Sequence, residues 1–133
     1  MSKKFGKILA EISVGELFDK ISILEIKKTK IKDSNKLNNI TRELSSLNDT
    51  LKKNALNKED PKLKNLVENL KKINFDLWEI EDGKRLAEKN NKFDERFIEL
   101  ARNVYKKNDL RAKIKSEINN YLGSNIKEVK SHH

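Results

Sequence analysis

From Val14 to Leu122 apolar residues return at steps of three and four, and little in the chain would stop a helix inside those runs: one Pro and four Gly in 133 residues. Such spacing lines up side chains on one face of a 3.6-residue helix and scatters them over both faces of a strand. The first run is announced by Ser13-Val14-Gly15-Glu16, a capping box in which Ser13 takes the third helical N–H, Glu16 reaches back to the Ser13 N–H, and Ile12 stands at the staple position. A helix therefore starts at Val14, carries Leu17, Phe18, Ile21 and Leu24, and ends near Ile31; Ile23 and Ile26 widen its apolar arc enough to meet two neighbours.

Asp33 or Ser34 can cap a second helix. Its residues Leu37, Ile40, Leu44, Leu47 and Leu51 fall on a strict heptad seam, the pattern of a coiled-coil-like arm. Pro61 disfavours helix at Asp60 but suits the first turn of a third helix capped by Asp60, along which Leu63, Leu66, Leu70, Ile73, Leu77 and Ile80 make a seam running past Gly83 toward Lys89. Asp94 caps a fourth helix with Phe97, Ala101, Val104, Ile118 and Leu122, and Gly123 ends it. The expected fold is all-α: about four helices in an antiparallel bundle or a pair of long hairpins, within one domain over 1–133. Residues 1–12 form a lead-in, with 7–12 read as a short extended piece, and 124–133 a tail. The second helix either folds back or projects as an arm, and its seam is the candidate contact with another protein or a second copy. His132 and His133 are read as the stump of an affinity tag and excluded from chemistry.

Composition narrows the function. Hydrophobic residues make up 35% and charged residues 38%, which suits thin amphipathic helices and not a deep substrate cavity. Without Cys there is no disulfide, thiolate nucleophile or Cys-ligated zinc, and no apolar run approaches the length of a membrane span. KKFGKILAEI at the start has basic residues and a brief apolar patch but no signal-peptide core, so a cytoplasmic protein is expected. The net charge of +9 is spread as +4 over residues 1–32, +2 over 33–93 and +3 over 94–133, with the densest run at Lys27, Lys28, Lys30 and Lys32. Scattered Arg and few interleaved aromatics speak for a solvated basic surface and against nucleic-acid recognition. No Gly-rich phosphate loop, HExxH or GxSxG occurs, and no His precedes the last two residues. Glu79 and Asp82, at i and i+3, are weak candidates for magnesium; the paired-carboxylate pyrophosphohydrolase pattern would need an upstream ExxE, which this chain lacks. No cofactor is expected.

The fourth helix breaks its own pattern. Heptad positions between Val104 and Ile118 hold Asn108, Arg111 and Lys115, so something polar must face them. Glu25 continues the arc of Phe18 and Ile21, while Glu81 and Lys84 edge the third seam; Arg102, Tyr105 and Asp109 lie one step around from Arg111. Glu25, Glu81, Arg102, Tyr105, Asn108, Asp109 and Arg111 are therefore the candidate polar site, either a layer fixing helix register or a pocket for a small anion such as a nucleotide sugar.

Three stretches carry a resemblance: EISVGELFDKISILEIK at 11–27, LWEIEDGKR at 77–85 and FDERFIELARNVYKKNDLRAKIKSEIN at 93–119. They resemble an uncharacterised family of small helical bacterial proteins, a domain of unknown function associated with lipopolysaccharide and glycosyltransferase gene neighbourhoods. The resemblance implies a setting in cell-surface glycan assembly and no reaction. Glu25, Glu81, Arg102, Tyr105, Asp109 and Arg111 all fall inside these blocks. The leading expectation is a non-catalytic accessory or protein-interaction module, with small-anion binding and electrostatic nucleic-acid binding as alternatives.

Overall fold

Each helix begins at a residue whose side chain completes its first turn. The structure is a computed structural model that describes residues 4–130; the expectation for His132 and His133 lies outside the described residues. Its helices are α1 (Val14–Lys30), α2 (Ser34–Lys53), α3 (Pro61–Lys89) and α4 (Glu95–Leu122), with no strand among the described residues. At the four starts, Ser13, Asp33, Asp60 and Asp94 accept the N–H of Glu16, Lys36, Leu63 and Phe97 at 3.0–3.3 Å, satisfying donors that no preceding turn can reach. Pro61 takes the first position of α3, where a missing N–H costs nothing. Gly123 closes α4 in the left-handed region at φ +64°, donating its N–H to the Asn119 carbonyl.

Only half of the expected capping box forms. Ser13 caps the turn, but the Glu16 carboxylate turns away from the Ser13 N–H and accepts from Lys115 on α4 at 2.5 Å. A charged partner in a partly buried place outcompetes a neutral backbone donor.

The seams meet in a core of Leu17, Phe18 and Ile21 from α1, Leu51 from α2, Leu63, Leu66 and Leu70 from α3, and Ile118 from α4. Leu70 and Ile118 are wholly inaccessible; burying each such side chain is worth about 1.5–3 kcal/mol over leaving it in water. Of the two courses open to α2, it takes the inward one. Ile40 and Leu51 are buried, Leu44 and Leu47 pack half-buried against the core, and Leu37 is half-buried, so the heptad seam is spent within the chain.

What extends is the other hairpin. α1 runs parallel to α3, with Asp19 beside Asn74 and Lys30 beside Glu79, and antiparallel to α4, with Gly15 beside Asn119 and Asp19 beside Arg111. Its last residue thus lies abreast of Glu79, and roughly 15 Å of α3 continues past it with the start of α4 as its companion. Among the described residues, the buried positions of α3 stop at Ile80 and those of α4 begin at Ile118. Gly83 lets this hairpin close: a Cβ there would stand 3.1 Å from the Leu100 side chain.

Candidate functional site

Where α1, α3 and α4 cross, the apolar packing gives way to a polar layer. On α1 the residues Gly15, Asp19, Ser22 and Ile26 follow each other at steps of four, three and four and share one buried stripe. Gly15 allows the closest approach: a Cβ there would lie 2.5 Å from the Lys115 carbonyl oxygen and 2.9 Å from Asn119 Oδ1. Its N–H donates to Asn119 Oδ1 at 2.6 Å, locking the crossing.

Asp19 is the centre of the layer and only 1% exposed. Arg111 grips it with two parallel bonds, Nε to Oδ1 at 3.0 Å and a terminal nitrogen to Oδ2 at 2.5 Å. Asn74 Nδ2–H donates to Oδ1 at 2.8 Å and to Ser22 Oγ at 3.2 Å, tying α3 into the same knot. Lys115 Nζ lies 3.5 Å from Asp19 Oδ2 and 2.5 Å from Glu16 Oε2. Two carboxylates thus face two cations. No buried side-chain nitrogen or oxygen among the described residues lacks a hydrogen-bond partner, which is what makes a buried ionic cluster tolerable.

The electrostatics point away from proton transfer. Burial alone would raise the Asp19 carboxyl, but hydrogen bonds from Arg111 and Asn74 and the charges of Arg111 and Lys115 outweigh it and hold it below its ordinary 3.8. Arg111 moves the opposite way, raised by its bonds to Asp19 against the pull of burial. A general acid or base works best with a pKa near the working pH; here both groups are pushed further from neutrality.

Of the residues singled out from sequence, the layer gathers Arg111, Lys115 and, at a long 3.5 Å from the Arg111 guanidinium, Asn108. The others go elsewhere. Glu25 accepts from Lys71 at 2.6 Å on the surface between α1 and α3, and Glu81 faces Lys84 and Arg85 of its own helix. Tyr105 is 58% exposed and Arg102 lies on the outer face of α4; Asp109 pairs with Lys130 of the tail at 2.6 Å. Glu79 is held by Lys30 at 3.0 Å, Asp82 is exposed, and no group of three or more candidate metal ligands occurs among the described residues. The carboxylates that answer Arg111 and Lys115 are Asp19 and Glu16, not Glu25 and Glu81. The signal for Asp19 was a small and polar stripe at 15, 19 and 22 beside the apolar one.

Next to this layer a groove of about 360 Å³ opens between α4 and the tail, with Asp109, Lys113, Lys115 and Asn119 on its helix side and Glu128 and Lys130 on its tail side. Ser13 Oγ–H donates to Glu128 at 2.6 Å and the Val14 N–H to Ser124 Oγ at 3.1 Å, fastening the tail across the start of α1.

The family described as "Family of unknown function (DUF6165)" matches the chain over residues 8–133. No curated protein and no solved structure matches it.

Proposed function

The chain belongs to the DUF6165 family, a family of unknown function, and from that premise we propose that it is a non-catalytic helical accessory module of the bacterial cytoplasm, serving cell-surface glycan assembly. One observation carries the non-catalytic reading: Arg111 and Lys115, the cations nearest the interior, are already neutralised by Asp19 and Glu16. A receptor for an anion keeps cations in hand for it; a layer that sets helix register spends them internally. Glu25, Glu81, Arg102, Tyr105 and Asp109 accordingly belong to the surface chemistry of the bundle. Such a module acts by associating with another protein or a second copy. With the α2 seam turned inward, the contact is expected on the outer surface of the bundle. The glycan setting rests on the three sequence blocks and on nothing in the geometry.

The test is a thermal-shift screen against nucleotide sugars, magnesium nucleotides, phosphate and a short DNA duplex at two salt concentrations. A ligand at 100 times its Kd would add about 2.7 kcal/mol and several degrees. No salt-resistant shift is expected, and a shift that disappears in Arg111→Met, measured against that variant's own baseline, would overturn the reading. Removing the protein from its host is expected to alter the length distribution of surface polysaccharide; an unchanged distribution would sink the glycan assignment.

A second reading has one observation in its favour. Lys113 faces the groove beside α4 with no carboxylate within 4 Å among the described residues, so a small phosphate or carboxylate would find one free cation there. In the same screen this reading requires a phosphate shift that Lys113→Met abolishes.

A further inference from the structure

At the end of the bundle where α1 begins and α4 stops, two segments outside the helices lie side by side. Asn125 Nδ2–H donates to Glu11 at 2.8 Å, and Ser13 donates to Glu128, so the lead-in 4–12 and the tail 124–130 share one face of the molecule. The lead-in is exposed along its whole length, with Phe5, Ile8 and Leu9 at 74, 80 and 87%. Ile12 on the lead-in and Ile126 and Val129 on the tail add to it. Nearly half of the large exposed hydrophobic side chains among the described residues therefore fall in two short segments, which is a patch and not scatter.

The lead-in carries an order that it does not use. Phe5, Ile8, Leu9 and Ile12 stand at i, i+3, i+4 and i+7, one face of a helix, with Lys4, Lys7 and Glu11 opposite. Yet residues 4–12 are not helical. Nine residues cannot hold a helix in water without a surface to bury its apolar side, and Gly6 costs about 1 kcal/mol more. The missing element is an apolar surface.

Charge says of what kind. Three carboxylates at this end are engaged within the chain, none of them by a lysine: Glu11 by Asn125, Glu128 by Ser13, and Asp60 by the Tyr121 hydroxyl at 2.6 Å. Lys4, Lys7 and Lys127 have no carboxylate within 4 Å among the described residues. Lysines left without a counter-ion beside an exposed aliphatic stripe fit a surface that is negative at its boundary and apolar beneath it. A phosphate backbone would satisfy the lysines but offer nothing to Ile8 and Leu9.

We propose that this end of the protein docks on an anionic lipid surface, where residues 4–12 fold into a short amphipathic helix that buries Phe5, Ile8, Leu9 and Ile12 while Lys4, Lys7 and Lys127 meet the headgroups. This goes beyond the accessory-module reading and stands whether the interior layer is structural or binds an anion. One short helix and a few lysines give reversible attachment, not permanent anchorage.

The experiment is co-sedimentation of the full chain with vesicles of phosphatidylcholine alone or with about 30% phosphatidylglycerol, at about 50 mM and 500 mM salt. Binding is expected to the anionic vesicles at low salt, falling steeply at high salt. Each lysine removed should weaken it about five-fold, the equivalent of ~1 kcal/mol. Ile8→Glu with Leu9→Glu should abolish it without moving the melting temperature, since both side chains are already in water. Phe5→Trp should show a blue-shifted emission on anionic vesicles. The proposal fails if the wild type stays in the supernatant at low salt, if the double glutamate variant still sediments, or if the Phe5→Trp emission is unmoved. It fails equally if a short DNA duplex displaces the vesicles and binds the double glutamate variant as well as the wild type.

Discussion

Replacing Arg111 with Met keeps most of the side chain's length and removes the charge, so it asks directly what the grip on Asp19 is worth. Breaking a fully buried ion pair from one side costs about 3–5 kcal/mol, because the charge left behind stays out of water. Two features reduce that here: Arg111 is 29% exposed, and Asp19 keeps Asn74 and the Lys115 ammonium at 3.5 Å. A loss of about 2–3 kcal/mol at pH 7 follows, or roughly 10 °C in melting temperature for a chain of this size. The pH dependence carries a second signature. In the wild type the Asp19 carboxyl titrates below its unfolded value, so its contribution is present above about pH 4 and lost as the pH falls through the lowered folded value. In Arg111→Met the strongest of the influences that lower this pKa is gone while the burial that raises it remains, so Asp19 ionises less readily in the folded state and contributes less at neutral pH. The gap between variant and wild type should therefore narrow as the pH drops from 7 to 3. Urea melts across that range read both effects, and the double change Asp19→Leu with Arg111→Met should recover most of the loss. If Arg111→Met melts within a degree or two of the wild type at pH 7, with a parallel acid limb, the layer does not hold the helices as argued.

Two further changes separate packing from local preference. Gly15→Ala gains about 1 kcal/mol in helix propensity but drives a Cβ into the Lys115 carbonyl, so overpacking of about 1–3 kcal/mol should leave the variant less stable, visible as a lower melting temperature; a stabilised variant would mean that α1 and α4 are not in close contact. Leu44→Glu places a charge against the core from the inward face of α2, so a loss of about 2–3 kcal/mol is expected in denaturant melts, where a purely intermolecular seam would lose association at unchanged monomer stability.

The ends of the helices were legible because they are decided by neighbours in the chain. Ser13, Asp33, Asp60 and Asp94 each cap the helix that follows them, and Gly123 takes the one conformation that its missing Cβ makes cheap. The polar heptad positions of α4 were equally visible, as was the need for something charged to face Arg111. Its partner was not. Glu25 continues the apolar arc of Phe18 and Ile21, Asp19 sits on the small and polar stripe beside it, and only the crossing of the helices chooses between them. Glu16 shows the same limit: its spacing from Ser13 marks a capping box, and Lys115, ninety-nine residues away, takes it instead.

Whether α2 would fold back or stand out also lay beyond the pattern, because a heptad of leucines serves a neighbour in the same chain as well as one in another. What the chain by itself determined is local: four helices, their caps, their apolar faces, a basic surface and a polar interruption in the last helix. Tertiary structure decided which faces meet, that Asp19 neutralises Arg111, that the seam of α2 is spent internally, and that the lead-in and the tail come together at one end. The reason is one of distance. Capping and periodicity act over three or four residues, whereas the fate of a charge or a leucine depends on groups brought from fifty to a hundred residues away, and only the packed chain brings them there.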